Sequence, residues 1–240
     1  MTGKIVSWFS AGVTSAVASK LALETGKDIE LVYIETGSHH KDNERFLEQC
    51  EEWYGQKIVN IKNPNYRDVF DVVKRNRYVN GPSGAKCTTE LKRKVRKRYE
   101  YGKEIKSYVW GFHYGRREKK RAERVKEAMP YVDHWFPLID NKITKENALC
   151  ILEKAGIERP LMYRLGYNNN NCIGCVKGGR GYWNKIRQDF PEAFNQMALL
   201  ERDIGRSCIR GRFLDELGVD EGREIKEIIP ECGIQCELNI

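Results

Sequence analysis

No run of about 18 apolar residues occurs in the 240-residue chain, so no helix able to span a membrane is expected. The amino terminus, MTGKIVSWF, runs straight into a strand-like segment and leaves no room for a signal peptide, which points to an intracellular, cytoplasmic protein. Two common phosphate-binding signatures are also missing: there is no G-x-x-x-x-G-K-[ST] and no G-x-G-x-x-G. That excludes a Walker-type nucleotidase and an ordinary dinucleotide fold. No repeat and no low-complexity linker interrupts the chain, so neither a repeat architecture nor a disordered spacer is expected.

What is present is a foldable, basic chain. Hydrophobic residues make up 40% and charged residues 32%, the balance of a globular protein. The net charge is +8. Much of it lies in ELKRKVRKRYE (90–100) and GRREKKRAERVK (115–126), both of helical composition. Each could be a solvated helix face. Two in one chain favour a basic surface that meets a polyanion, either nucleic acid or a highly charged nucleotide.

Strand-like and helical segments alternate. KIVSWF (4–9), IELVYIET (29–36), KIVNIK (57–62), KSYVWGF (106–112) and HWFPLI (134–139) read as strands. The segments 14–25, 42–54, 66–76, 115–128 and 144–155 between and after them read as helices. This alternation predicts an α/β fold with a doubly wound, mostly parallel sheet and helices on both faces. Ligands then bind at the carboxyl ends of strands, where the turns 10–15 and 35–37 lie. Beyond about residue 157 the texture turns to Gly and Asn, followed by helix over 183–204 with a break at Pro191. The expected organisation is an α/β domain over 1–156 and a cysteine-bearing appendage over 157–240.

Five short stretches carry chemistry. In FSAGVTS (9–15), Ser10, Thr14 and Ser15 bring hydroxyls and Gly12 lets backbone come close to a phosphate at a helix N-terminus. In YIETGSHHKDNERF (33–46), Glu35 sits at a strand end, and His39 and His40 read as exposed loop residues. In GAKCTTELKRKVR (84–96), Cys87 begins a helix, where the dipole is expected to favour thiolate. In NNNNCIGCVKGG (168–179), Cys172-x-x-Cys175 in a glycine-flanked loop signals metal or redox chemistry. The tail IIPECGIQCELNI adds Cys232 and Cys236, and GRSCIRGRF adds Cys208. The remaining two of the eight cysteines, Cys50 and Cys150, fall in helical patterns and read as core residues. An intracellular chain does not ordinarily spend cysteines on disulfides.

Together these stretches resemble the phosphoadenosine phosphosulfate (PAPS) reductase-like family of the ATP pyrophosphatase, or adenine nucleotide alpha hydrolase, superfamily. FSAGVTS resembles the S-G-G-x-D-S pyrophosphate loop, with Ala11 for the first Gly and Thr14 for Asp, which removes a carboxylate able to hold Mg²⁺. Glu35-Thr36-Gly37 stand for Asp-Thr-Gly; Cys87, Thr88, Leu91 and Lys92 match C-T-x-x-L-K. The E-C-G-I tail resembles the E-C-G-[IL]-H of sulfonucleotide reductases, with Gln235 for His. The Asn-rich CxxC segment is similar to members encoded by phages and bacteria.

The resemblance implies ATP or another adenine nucleotide, held by Ser10, Ala11, Gly12, Val13, Thr14 and Ser15, with Glu35, Thr36, Gly37 and Arg121; Mg²⁺ could accompany it. It implies a catalytic role for Lys92, and for Cys232 in a reductase. It implies a [4Fe–4S] cluster on Cys87, Cys172, Cys175 and Cys232, with Cys236 or Cys208 as alternative fourth ligands and zinc as the alternative metal. Three functions follow. One is ATP cleavage at the α-phosphate coupled to sulfur insertion into a nucleic acid, tRNA or DNA. One is sulfonucleotide reduction with sulfite release. One is a non-catalytic nucleotide-binding module. A sulfur or electron donor protein would serve either enzyme, and a homodimer is compatible with all three.

Overall fold

A computed structural model describes residues 3–82, 84–225 and 228–231; Cys232, Gln235 and Cys236 lie outside the described residues. Five strands form one parallel sheet: β1 (Lys4–Phe9), β2 (Ile29–Glu35), β3 (Val59–Lys62), β4 (Ile105–Val109) and β5 (Asp133–Trp135). Their spatial order is β3-β2-β1-β4-β5, so the order reverses between β1 and β4. That reversal opens a crevice at the carboxyl ends of these two strands, the usual ligand position in such sheets.

The side-chain period of two divides the sheet faces. Phe9, Leu31, Tyr33 and Val109 bury into one core against α1 (Val13–Leu23), α2 (Asp42–Tyr54) and α8 (Lys145–Lys154). Val6, Trp8, Val32 and Tyr108 bury into the other, with Met129 and Val132 beyond α6 (Arg116–Ala128). Strand 134–139 is shorter than expected: it ends at Trp135, and Pro137 opens the short helix α7 (Pro137–Asp140). Proline suits that first helical position because its fixed φ is helical and its missing N–H needs no partner there.

Between β3 and β4 the chain forms α3 (Val69–Asn76), α4 (Lys86–Thr88), a π-helical turn (Thr89–Arg93) and α5 (Lys94–Glu100). After α8 come α9 (Leu161–Arg164), α10 (Arg180–Asp189) and α11 (Pro191–Ile204), with the expected break at Pro191. A further core spans both sides of residue 157. In it Val69, Val72, Val73, Ala85 and Leu91 pack with Met162, Trp183, Ile186 and Met197.

Candidate active site

The turn between β1 and α1 is held by one hydroxyl. Ser15 Oγ accepts from the N–H of Ser10 at 3.1 Å and of Gly12 at 3.2 Å, and donates to the Gly12 carbonyl at 2.8 Å. Ala11 sits at φ +54°, in the left-handed region where glycine is at ease. The side chains of Ala11 and Val13 are buried, so these two residues can offer only backbone to a ligand. Gly111, after β4, allows the strand to approach α1: a Cβ there would lie 2.5 Å from Ser15 Cα.

The crevice is a cleft of about 410 Å³. Ser10, Gly12, Thr14 and Ser15 line its floor. Lys92 and Arg93 enter from the π-helical turn, Arg96 from α5, and Arg121 from α6, while Trp110 and Phe112 supply an apolar wall. Such wide turns occur frequently at functional sites. Arg121 lies 3.2 Å from Glu118 and 4.2 Å from the Phe112 ring centroid, so its guanidinium plane is held by both. Arg96 pairs with Glu100 at 3.2 Å; Lys92 and Arg93 have no carboxylate partner among the described residues. Unneutralised cations over a helix N-terminus give this cleft a chemistry suited to anions.

Glu35, Thr36 and Gly37 are not among the residues lining this cleft; Glu35 contacts His39, and Thr36 contacts Cys172 of the thiol loop. Glu35 accepts from the Gly37 N–H at 2.6 Å and from Tyr33 Oη at 3.0 Å, and lies 3.4 Å from His39. Thr36 Oγ1 is 3.2 Å from Cys172 Sγ. His39, expected to be exposed, has a side chain only 6% exposed, because Tyr33, Glu35 and Cys172 enclose it. His39 also lines the cleft. His40 is half-buried near Phe190.

Four thiols form a group. Cys172 lies in the core that spans residue 157, and Cys87, Cys175 and Cys208 pack against that core. Helix position does not make Cys87 acidic, contrary to expectation. Burial pushes its thiol up to about 11, reinforced by Cys172 and Cys175, and the opposing charges of Lys177 and Lys92 do not offset this. The acidic thiol is Cys172. Burial would raise it, but the hydrogen bond and charge of His39, with Lys92 and Thr36, bring it down to about 7. His39 correspondingly rises to about 9, the desolvation penalty being outweighed by Cys172 and Glu35. Burial and the Glu201 carboxylate push Cys208 up. Cys50 is a free thiol buried in α2, as expected; Cys150 is buried in α8 but is disulfide-bonded, contrary to the expectation that no cysteine is spent on a disulfide.

The CxxC loop is fixed from several sides. Tyr182 Oη accepts from the Cys175 N–H at 2.9 Å and donates to the Cys172 carbonyl at 2.7 Å. Asn170 donates to the Ala11 carbonyl at 2.6 Å and to Asn43 at 2.8 Å, joining the thiol loop to the turn between β1 and α1. Among the described residues, no three His, Cys, Asp or Glu side chains stand close enough to hold a single metal ion.

Residues 4–178 match the phosphoadenosine phosphosulfate reductase domain model. The chain belongs to that family. Two uncharacterized proteins of Methanocaldococcus jannaschii are similar to it. One is 28% identical over 203 residues, covering 78% of this chain and 39% of the relative. The other is 23% identical over 194 residues, covering 78% and 45%. The chain thus spans less than half the length of these relatives. The crystal structure of phosphoadenylyl-sulfate (PAPS) reductase from Candida auris, a phosphate complex, superposes with a TM-score of 0.54 at 12% identity. It covers 72% of this chain and 82% of that one, a likeness of fold. No helix among the described residues is long and apolar enough to cross a membrane.

Proposed function

We propose that the cleft binds an adenine nucleotide and that the protein is a nucleotide-dependent sulfur enzyme acting on a nucleic acid. ATP would be attacked at its α-phosphate by an acceptor oxygen, releasing pyrophosphate; sulfur at the sulfide level would then displace AMP. The observation that carries this reading is that cleft and thiols share residues. Lys92 and His39 both line the cleft and both act on Cys172. The acceptor class rests on the two basic helices. Their inner faces supply Arg96 and Arg121 to the cleft, while Lys97, Arg98, Arg117, Lys120 and Arg124 continue the positive field outward, exposed. Phosphate backbones bind such surfaces through charge.

For the thiol group we favour an iron–sulfur cluster, with zinc as the alternative metal. A single zinc draws four sulfurs to about 2.3 Å from one centre, whereas a cubane spreads its ligands around a larger body. Its support is that Cys172 lies in the apolar core against which Cys87, Cys175 and Cys208 pack, so the four thiols share one region. We assign these four as its ligands, with Cys208 as the fourth. Such a cluster supplies electron transfer or a soft site for sulfide.

One observation favours sulfonucleotide reduction as a second reading. Glu231, just before Cys232, is tied to the first turn of α8 beside the cleft: Asn147 donates to its carbonyl at 2.8 Å. The test is anaerobic turnover with ATP in the presence of tRNA or DNA. Acceptor-dependent pyrophosphate release is expected. Sulfite release from a sulfonucleotide with a thiol donor, abolished in Cys232→Ser, would replace this reading by reduction. Tight nucleotide binding with neither product would leave a binding module.

A further inference from the structure

Lys145 was not among the residues the sequence singled out; it follows Thr144, the N-cap of α8, and resembles any lysine in a first helical turn. In the structure it is only 8% exposed, and it lines the cleft. Its ammonium donates to the Asn168 carbonyl and to Asn169 Oδ1, the latter at 2.9 Å. An ammonium has three donors, so one remains. No carboxylate lies within ion-pair distance of it among the described residues. Burying a cation without a counter-charge is costly, and an arriving anion offsets that cost.

The location says which part of a ligand it faces. Lys145 Nζ lies 5.5 Å from the Tyr163 ring centroid. Tyr163 lines the cleft together with Gly12, Asn170 and Lys145. Its hydroxyl lies 3.4 Å from where a Cβ of Gly12 would stand. Tyr163 therefore places the ammonium beside the phosphate turn. We propose that Lys145 is a phosphate-contacting residue of the cleft, held ready by the Asn168–Asn169 segment for the phosphate seated on the 10–15 turn. This rests on the reading of the cleft as a nucleotide site. It also gives the Asn run two tasks, since Asn168 and Asn169 aim the cation while Asn170 ties the thiol loop to Ala11.

The facing charges support a proton-linked contact. Burial lowers Lys145 to about 8, only partly offset by Glu146 on its own helix and Glu118 on α6; His113, before α6, is the other titratable neighbour and is itself lowered. A phosphate at the third donor favours the ammonium. Near pH 8 nucleotide binding should therefore take up part of a proton, and affinity should fall as pH rises above 8.

The experiment is titration calorimetry of wild type, Lys145→Met and Lys145→Arg with ATP and with adenosine at pH 8. Two buffers of different protonation enthalpy are used, and circular dichroism checks that each variant is folded. Lys145→Met should weaken ATP about 10- to 100-fold, leave adenosine unchanged and abolish proton uptake. Lys145→Arg should stay within about threefold of wild type, because the charge is kept. Unchanged ATP affinity in Lys145→Met, or equal loss for ATP and adenosine, overturns the assignment while leaving the cleft intact. A wild type that binds neither ligand overturns the cleft reading, and this inference with it.

Discussion

On the β1–α1 side of the cleft, six consecutive residues and the Ser15 hydroxyl make the turn. On the thiol side, Cys87, Cys172, Cys175 and Cys208 arrive from three separate stretches of chain, and remote groups hold them: Tyr182, Glu201, Ser38 and Asn170. The first construction is local and depends on few partners. The second depends on long-range packing, so changes far from any thiol should disturb it.

Matched glycine substitutions give the largest contrast. Gly37 sits at φ +70°, and a Cβ there would lie 1.8 Å from the Arg67 carbonyl oxygen; Gly12, at φ −104°, would meet nothing nearer than Tyr163 Oη at 3.4 Å. Gly37→Ala should destabilise by about 3 kcal/mol or more, lowering Tm by roughly 6–12 °C, while Gly12→Ala should cost under about 1 kcal/mol. Equal losses in thermal melts would break the comparison.

Next in size is Glu201, fully buried, whose carboxylate accepts from the N–H of Cys208 and, at 2.7 Å, from that of Leu214. Glu201→Ala strands two buried donors and should cost about 2–4 kcal/mol. It should also lower metal content per chain, which iron analysis reads directly. Retained iron at wild-type level would show that Cys208 is not held by this carboxylate.

Asp42 joins the halves at lower stakes. It binds Arg45 at 2.8 Å and accepts from the Leu161 N–H at 2.7 Å, across residue 157. The Arg45 hydrogen bond, with burial opposing and the Leu161 N–H assisting, lowers its carboxyl below the usual value. A depressed folded pKa contributes stability that is full above the unfolded value of about 3.9 and is lost as pH falls through the lower folded value. Asp42→Asn should therefore cost about 1 kcal/mol at pH 7, after allowance for screening, and progressively less as the pH falls through the depressed folded pKa. Melts across this pH range check the sign.

The smallest effect is expected at Ala11. Glycine would relieve the left-handed backbone at φ +54° but adds freedom to the unfolded chain, so Ala11→Gly should stabilise by about 0.5 kcal/mol, a Tm rise of one or two degrees. A fall in Tm would mean that the methyl group, buried in the core, outweighs the strain.

The same contrast explains what the sequence showed. The parallel sheet, the hydroxyl turn and the CxxC loop were legible because periodicity and spacing are local. His39 was not: two loop histidines read as exposed, and only Cys172, far along the chain, reveals one as enclosed. Cys87 was misjudged because its burial outweighs its helix position. Lys145 was invisible because its burial comes from Asn168 and Asn169, across a loop. Glu35, Thr36 and Gly37 lie at a strand end, as the pattern implied, but the contacts of Glu35 with His39 and of Thr36 with Cys172 join residues that no local pattern links.

The most direct test of the central claim is anaerobic purification followed by iron, acid-labile sulfide and zinc analysis of wild type and Cys208→Ser. The account predicts about four irons and four sulfides per wild-type chain, with a marked loss in the variant. Colourless wild-type protein carrying a single zinc, or no metal, would contradict it.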